Sequence, residues 1–267
     1  MTDVTVMTGD GVRLRARSDG PSDAPPLLLL NSLGTDLAMW APQVPTWSQT
    51  HRVIRFDQRG HGRSEVAPPP YTIDQLGADA VAVLDAFEVE QADVCGLSLG
   101  GLVALWLGGR RPERIRRLIL ADTAARIGTE QAWRERAATV RSDGISGVTE
   151  LALSRFFSPA FVASGGKAVR DVEAMLVGTS PSGYGGSCEA LARADLTDLV
   201  PRVASETLVI VGSEDAATPP EEARALDATL ARSRLVEFPG AGHLANLEAT
   251  ESFTEVVRAF LARDRTT

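Results

Sequence analysis

Ala92-Asp-Val-Cys-Gly96-Leu97-Ser98-Leu99-Gly100-Gly101 is the stretch whose reading decides the fold. Ala92 to Gly96 is a short apolar run ended by glycine, as a strand buried on both faces should be. Leu99 to Arg111 has the length and composition of a helix. Between them stands G-x-S-x-G. A strand that turns into a helix at this spacing forces Ser98 into a strained backbone. Residues without side chains at Gly96 and Gly100 let the two elements pass. The hydroxyl is lifted out of the sheet, and the helix N-terminus beneath it favours developing negative charge. The bare pattern is common and would equally mark a tight turn with an incidental serine. The strand before it and the helix after it are what point to a nucleophile.

Working outward, Val4 to Thr8 and Val12 to Ser18 alternate apolar and polar residues around Gly9-Asp10-Gly11, which predicts a hairpin. Pro26 to Asn31, Arg52 to Asp57, Arg117 to Asp122, Glu206 to Gly212 and Arg234 to Phe238 repeat the buried-strand pattern. Helix-length stretches cover Ile73 to Phe87, Leu99 to Arg111, Pro220 to Leu230 and Asn246 to Arg263. Strands alternating with helices predict an α/β fold, a mostly parallel central sheet covered by helices on both faces. Residues 125–199 break the alternation. They carry helical patterns, such as Glu130 to Arg141 and Val148 to Phe157, with Gly165-Gly166 and Tyr184-Gly-Gly186 as punctuation. A loop that long is rare, so the expectation is a helical cap (125–199) inserted in a core formed by 1–124 and 200–267.

The chain has 267 residues, 44% hydrophobic and 23% charged, enough for a packed core and against disorder. A net charge of −8 argues against nucleic-acid binding, which needs a basic stripe. One local arginine can still attract a small anion. The N-terminus shows no basic segment leading into an apolar one, and Leu27 to Leu30 is too short to span a bilayer, so no membrane association is expected and the protein reads as cytoplasmic. Cys95 and Cys188 have no metal-ligand spacing, and bridging between them is not expected.

A serine nucleophile needs a base, and there are three histidines. His51 reads as a solvated residue at a loop-to-strand boundary. His61, in Asp57-Gln-Arg-Gly-His61-Gly-Arg-Ser64, follows a strand, but its flanking glycines suggest loop packing. His243 lies in a loop after the last strand, over the strand ends where Ser98 projects, and is the better base. Asp215 follows a late strand and completes the order Ser, Asp, His, with Asp122 as its rival. The acid would hold the imidazole in the useful tautomer. Oxyanion donors are expected from the backbone N–H of Leu99 and of Leu33, with Ser32 as the second choice for the latter.

At this point the motifs resemble the α/β-hydrolase family over essentially the whole chain. Asn31-Ser-Leu-Gly34, Asp57 to Ser64, the turn at Ser98, Asp215 and His243 all fall in the family's order. More narrowly, the chain resembles the 3-oxoadipate enol-lactonases, on Asn31 to Asp36 with Met39-Trp40, Asp122 to Gly128 with Trp133, Gly183 to Ala190 and Asp215 to Pro219. The resemblance implies an α/β-hydrolase fold and a serine hydrolase that opens a small-molecule lactone to 3-oxoadipate in aromatic catabolism, with no metal or organic cofactor. Such a substrate carries a carboxylate, so a cap arginine should meet it; Arg126 and Arg134 are the candidates, with Trp133 lining the pocket. Solvated helix arginines and a cap-core tryptophan are the plain alternatives.

A carboxylesterase or another lactonase of the same fold would share the triad and differ in the cap. A non-catalytic ligand-binding homologue is a third reading, against which the intact Ser98, Asp215 and His243 speak. A lyase or perhydrolase on the same fold is not separated by sequence.

Overall fold

The short apolar runs assemble into one eight-stranded sheet. The computed structural model describes residues 2–263. Strands β1 (Thr2–Met7), β2 (Arg13–Asp19), β3 (Pro26–Leu30), β4 (Arg52–Phe56), β5 (Ala92–Leu97), β6 (Ile115–Ala121), β7 (Glu206–Gly212) and β8 (Ser233–Phe238) lie in the order β1-β2-β4-β3-β5-β6-β7-β8. The pairs β1–β2 and β2–β4 are antiparallel; every other pair is parallel. β5 is central and buried along its whole length, with Cys95 opposite Leu29 on one side and Ile119 on the other. Each fully buried leucine of β3 contributes about 1.5–3 kcal/mol over an exposed one. Because β3 and β5 to β8 run parallel, the loops that follow them gather along one edge of the sheet, where open α/β sheets place ligands.

The helices are α1 (Val44–Trp47), α2 (Ile73–Ala86), α3 (Leu99–Arg110), α4 (Glu130–Asp143), α5 (Ser146–Phe156), α6 (Pro159–Ala163), α7 (Lys167–Gly178), α8 (Pro181–Arg193), α9 (Pro220–Thr229), α10 (Ala245–Glu248) and α11 (Thr250–Leu261). α2 starts in a capping box: the Thr72 side chain accepts from the Gln75 N–H, and the Gln75 side chain accepts from the Thr72 N–H. α3 is buried from Leu99 to Gly108, which is why its sequence is apolar all round. Helices α4 to α8 occupy the interval between β6 and β7, with α4 packed on α8.

Two expectations need correction. The helix expected over 246–263 is two helices, broken at Ala249 (φ −106°, ψ 43°). α10 is tied to the segment after β3, where Asn246 Nδ2 donates to the Met39 carbonyl and Gln43 Nε2 to the Asn246 carbonyl. α11 turns away to bury Phe253 against Trp40 and Trp47. Tyr184-Gly-Gly186 is not a break either, for it lies inside α8. Its glycines serve packing. A Cβ on Gly183 would stand 2.2 Å from the Gly60 carbonyl oxygen, and one on Gly186 2.8 Å from the Tyr71 ring, whereas one on Gly185 would meet nothing closer than 4.0 Å.

Gly183→Ala therefore forces α8 off the core and should cost about 1–3 kcal/mol, while Gly185→Ala should gain about 0.5–1 kcal/mol by helix propensity. Thermal or urea unfolding of the two variants checks the contrast, and equal effects would contradict it.

Candidate active site

β5 ends at Leu97 and α3 begins at Leu99, so Ser98 carries the whole change of direction at φ +58°. L-residues rarely adopt that backbone, and it costs of order 1–3 kcal/mol. The neighbours hold it. Ser98 N–H donates to the Ala121 carbonyl (3.0 Å), and its own carbonyl accepts from Thr123 Oγ1 (2.8 Å). A Cβ on Gly96 would lie 2.1 Å from the Gly100 oxygen, and one on Gly100 2.2 Å from the Leu30 oxygen. Only glycine fits at both places.

His243 lies in the loop after β8, 2% exposed, and its Nδ1 is 2.8 Å from Asp215 Oδ2. A carboxylate only accepts, so the ring proton sits on Nδ1 and Nε2 is left as the basic nitrogen. Asp215 is held by Thr218 Oγ1 at 2.7 Å, Ala217 N–H at 2.7 Å and Thr218 N–H at 2.8 Å. Burial would raise its carboxyl; the His243 imidazole and the Thr218 bonds outweigh this and keep it below the usual range. Ser98 and His243 line one cavity with no hydrogen bond between them. Such pairs are often open before a substrate seats.

The rivals are elsewhere. Asp122 Oδ1 accepts from the Gly212 N–H (2.9 Å), and burial, then the charge of Asp215, push its carboxyl well above the usual range. The structure brings Asp215, not Asp122, to the imidazole. His61 is 1% exposed, against the Arg59 carbonyl and the Gln58 side chain, and burial pushes it down to about 4. His51 is not solvated as expected; it is buried, with Nε2 3.9 Å from Asp93 Oδ2.

The loop after β3 is fixed by Asn31, whose Nδ2 donates to the Phe56 carbonyl (2.7 Å) and whose Oδ1 accepts from Trp40 Nε1 (3.0 Å). Ser32 and Leu33 line the same cavity as Ser98. Leu99 occupies the first position of α3, where the helix offers its N–H no acceptor. Trp133 also lines the cavity, its Nε1 donating to the Ile127 carbonyl at 2.5 Å.

The structure places both expected arginines away from the cavity. Arg126 is half exposed and pairs with Asp195 at 3.7 Å, and Arg134 pairs with Glu130 at 2.6 Å; neither lines the cavity. The arginines that do are Arg136 and Arg155. Arg136 stacks its guanidinium 4.8 Å from the centre of the Trp133 ring. Neither enters an ion pair among the described residues, and no Asp or Glu lines the cavity. Helical phase could have found Arg136, because residue 136 follows Trp133 by three and shares its face, whereas residue 134 is turned about 100° away.

The family described as alpha/beta hydrolase fold matches residues 25–145, and one described as TAP-like protein matches 187–266. The chain is 38% identical to 3-oxoadipate enol-lactonase 2 of Acinetobacter baylyi, over 96% of each sequence. It superposes on the crystal structure of the enol-lactonase from Burkholderia xenovorans with a TM-score of 0.95 at 38% identity, covering 97% of this chain and 100% of that one. A thermophilic esterase from Thermogutta terrifontis, solved with malate bound, follows with a TM-score of 0.92 at 30% identity over 98% of each chain.

His61 gives the site's surroundings a pH signature. An unfolded histidine titrates near 6.5, and in the folded protein the same ring resists its proton to about 4. The unfolded chain binds that proton first as pH falls, so stability present above pH 6.5 drains away toward pH 4. Urea unfolding across that window should show the slope, and His61→Gln should flatten it.

Sequence coverage, sheet order and the identity to the Acinetobacter enzyme agree: the chain belongs to the α/β-hydrolase family and is an ester-bond hydrolase similar to proteins named 3-oxoadipate enol-lactonase.

Proposed function

We propose that this protein opens the ring of 3-oxoadipate enol-lactone, using Ser98 as nucleophile, His243 as base and Asp215 as the acid that orients it. The observation that carries the reading is the cavity itself. In a chain of net charge −8, the space beside Ser98 and His243 has two arginines that enter no ion pair among the described residues, and no acid among its lining residues. That is the lining an anionic ester calls for. The names of the relatives at 34–38% identity supply the particular ester.

The chemistry follows from the groups present. His243 Nε2 takes the Ser98 proton as Oγ bonds to the lactone carbonyl carbon. The oxyanion is received by the N–H groups of Leu99 and Leu33, each donor of this kind lowering the barrier by about 3 kcal/mol. Collapse breaks the bond to the ring oxygen, which leaves as an enol protonated by the imidazolium and tautomerises to the ketone. Water, deprotonated by His243, then attacks the acyl-serine and releases 3-oxoadipate. Residues 125–199 act as a cap over this site, with Trp133 and Arg136 of α4 and Arg155 of α5 forming its roof. The substrate carboxylate meets Arg136 and Arg155.

Loss of the lactone's ultraviolet absorbance tests the reaction. Fast loss with the wild type that disappears in Ser98→Ala is expected. No loss, together with cleavage of p-nitrophenyl acetate abolished by the same variant, would keep the nucleophile and make the protein a carboxylesterase.

Arg136→Ala and Arg155→Ala should each raise KM for the lactone about tenfold with kcat little changed, the size of one charged hydrogen bond. KM for neutral p-nitrophenyl acetate should stay put. Equal shifts on both substrates would remove the carboxylate role.

A further inference from the structure

The backbone immediately before His243 is held by a side chain that lies outside the cavity. Glu248, the last residue of α10, accepts from the Gly242 N–H at 3.0 Å and from the Ser158 N–H at 3.1 Å, both through Oε2. Its other oxygen accepts from the Ser158 hydroxyl. Ser158 is buried at the corner between α5 and α6 and caps α6, its hydroxyl accepting from the Phe161 N–H at 3.3 Å. One carboxylate thus joins the His243 loop to the helices over the site.

The fit around this link is close. A Cβ on Gly242 would lie 2.5 Å from the Ser158 nitrogen and 2.6 Å from the Phe157 carbonyl carbon, so the loop and the corner touch backbone to backbone. On the far side of the histidine, the Leu244 N–H donates to the Phe156 carbonyl at 2.8 Å. The Phe156 ring lies nearly parallel to the imidazole, at 13° and 6.1 Å between centres. The approach to His243 from β8 is fixed separately: Glu214 N–H donates to the Ala241 carbonyl at 2.8 Å, next to Asp215. Two supports therefore meet at the ring, one from the loop that carries Asp215 and one from the α5–α6 corner. Gly242 has no side chain and belongs to no helix or strand, so its N–H depends on Glu248 for a partner.

We infer that Glu248 is a positioning residue for His243: its carboxylate locks the α5–α6 corner to the backbone that sets where the imidazole points. The inference rests on the reading of His243 as the base. A shift of about 1 Å in a catalytic group costs on the order of a hundredfold in rate, so slack at Gly242 should be read in kcat. Glutamine can replace the carboxylate here. Its amide oxygen accepts both N–H groups, and the Ser158 hydroxyl can turn to accept from the amide nitrogen.

The test uses p-nitrophenyl acetate, so the identity of the natural ester does not enter. Glu248→Ala is expected to lower kcat at least tenfold with KM within twofold of wild type, and Glu248→Gln to restore kcat to within about threefold. Melting temperatures of both variants accompany the kinetics. Wild-type kcat in Glu248→Ala, beside an inactive His243→Ala, overturns the clamp and leaves the base in place. An active His243→Ala overturns the base and the clamp with it. Equal loss in the alanine and glutamine variants overturns positioning by hydrogen bonds. Should Glu248→Ala fail to fold, Ser158→Ala decides: a threefold or larger fall in kcat at constant KM supports the clamp, and wild-type kcat overturns it.

Discussion

The backbone of Ser98 at φ +58° is the constraint on which the rest of the site is built. It exists because β5 runs through the middle of the sheet and α3 doubles back over it at a distance that two glycines alone permit. The strain is offset by bonds to Ala121, the last residue of β6, and to Thr123 in the loop after it. One neighbouring strand thus holds the serine, and the loop after the other, β3, brings Leu33 beside it. The loops after β7 and β8 bring the acid and the imidazole to the same edge. Parallel strands put four loops from distant parts of the chain around one hydroxyl.

An ion cluster fixes the loop against which α8 packs. Arg59 binds Asp79 through Nε and Nη2 (2.7 and 2.6 Å) and Asp10 through Nη1 (2.9 Å), while Asp57 accepts the Leu37 and Arg63 N–H groups. Buried pairs of this kind are weak evidence for net stability. Their effect here is on shape: they fix the loop 57–64 so that Gly60 meets Gly183 of α8 backbone to backbone. α8 supports α4, and α4 carries Trp133 and Arg136 into the cavity. The position of a guanidinium over the site thereby depends on an aspartate in the first hairpin.

What the sequence made legible were the features that repeat locally. The apolar runs of β3, β5 and β7 and the strand-Ser-helix turn are written within ten residues each, and chain order singles out Asp215 and His243, which the structure brings within 2.8 Å of each other. The roof was harder because its helices are polar on more than one side. Residue type does not distinguish Arg134 from Arg136; helical phase relative to Trp133 does, and the inward face of α4 is marked by Ala137 and Val140. Glycines inside α8 read as a break because the reason for them, Gly60 and Tyr71, lies more than a hundred residues away. Glu248 carries no local mark either, since its partner Ser158 is 90 residues distant. His51 looked solvated because Asp93, which it approaches in the core, belongs to another strand.

Charge gives the cavity a direction. Asp122 and Asp215 share one buried corner, and two ionised carboxylates there would repel each other. Burial together with the Asp215 charge keeps the Asp122 carboxyl protonated far beyond the usual range, while Asp215, paired with the imidazole, stays ionised. The Asp215 carboxylate lies against the ring, where it can stabilise an imidazolium. Two guanidinium groups, of Arg136 on α4 and Arg155 on α5, line the same cavity. On the proposed mechanism, an anionic ester entering this field turns its carboxylate toward the arginines and its carbonyl toward Ser98. On the same proposed mechanism the field acts on the product, whose second carboxylate would form at the Ser98 end, the side on which Asp215 holds His243. Repulsion there opposes the product and not the substrate. The arrangement that orients the ester thus also favours release of the acid.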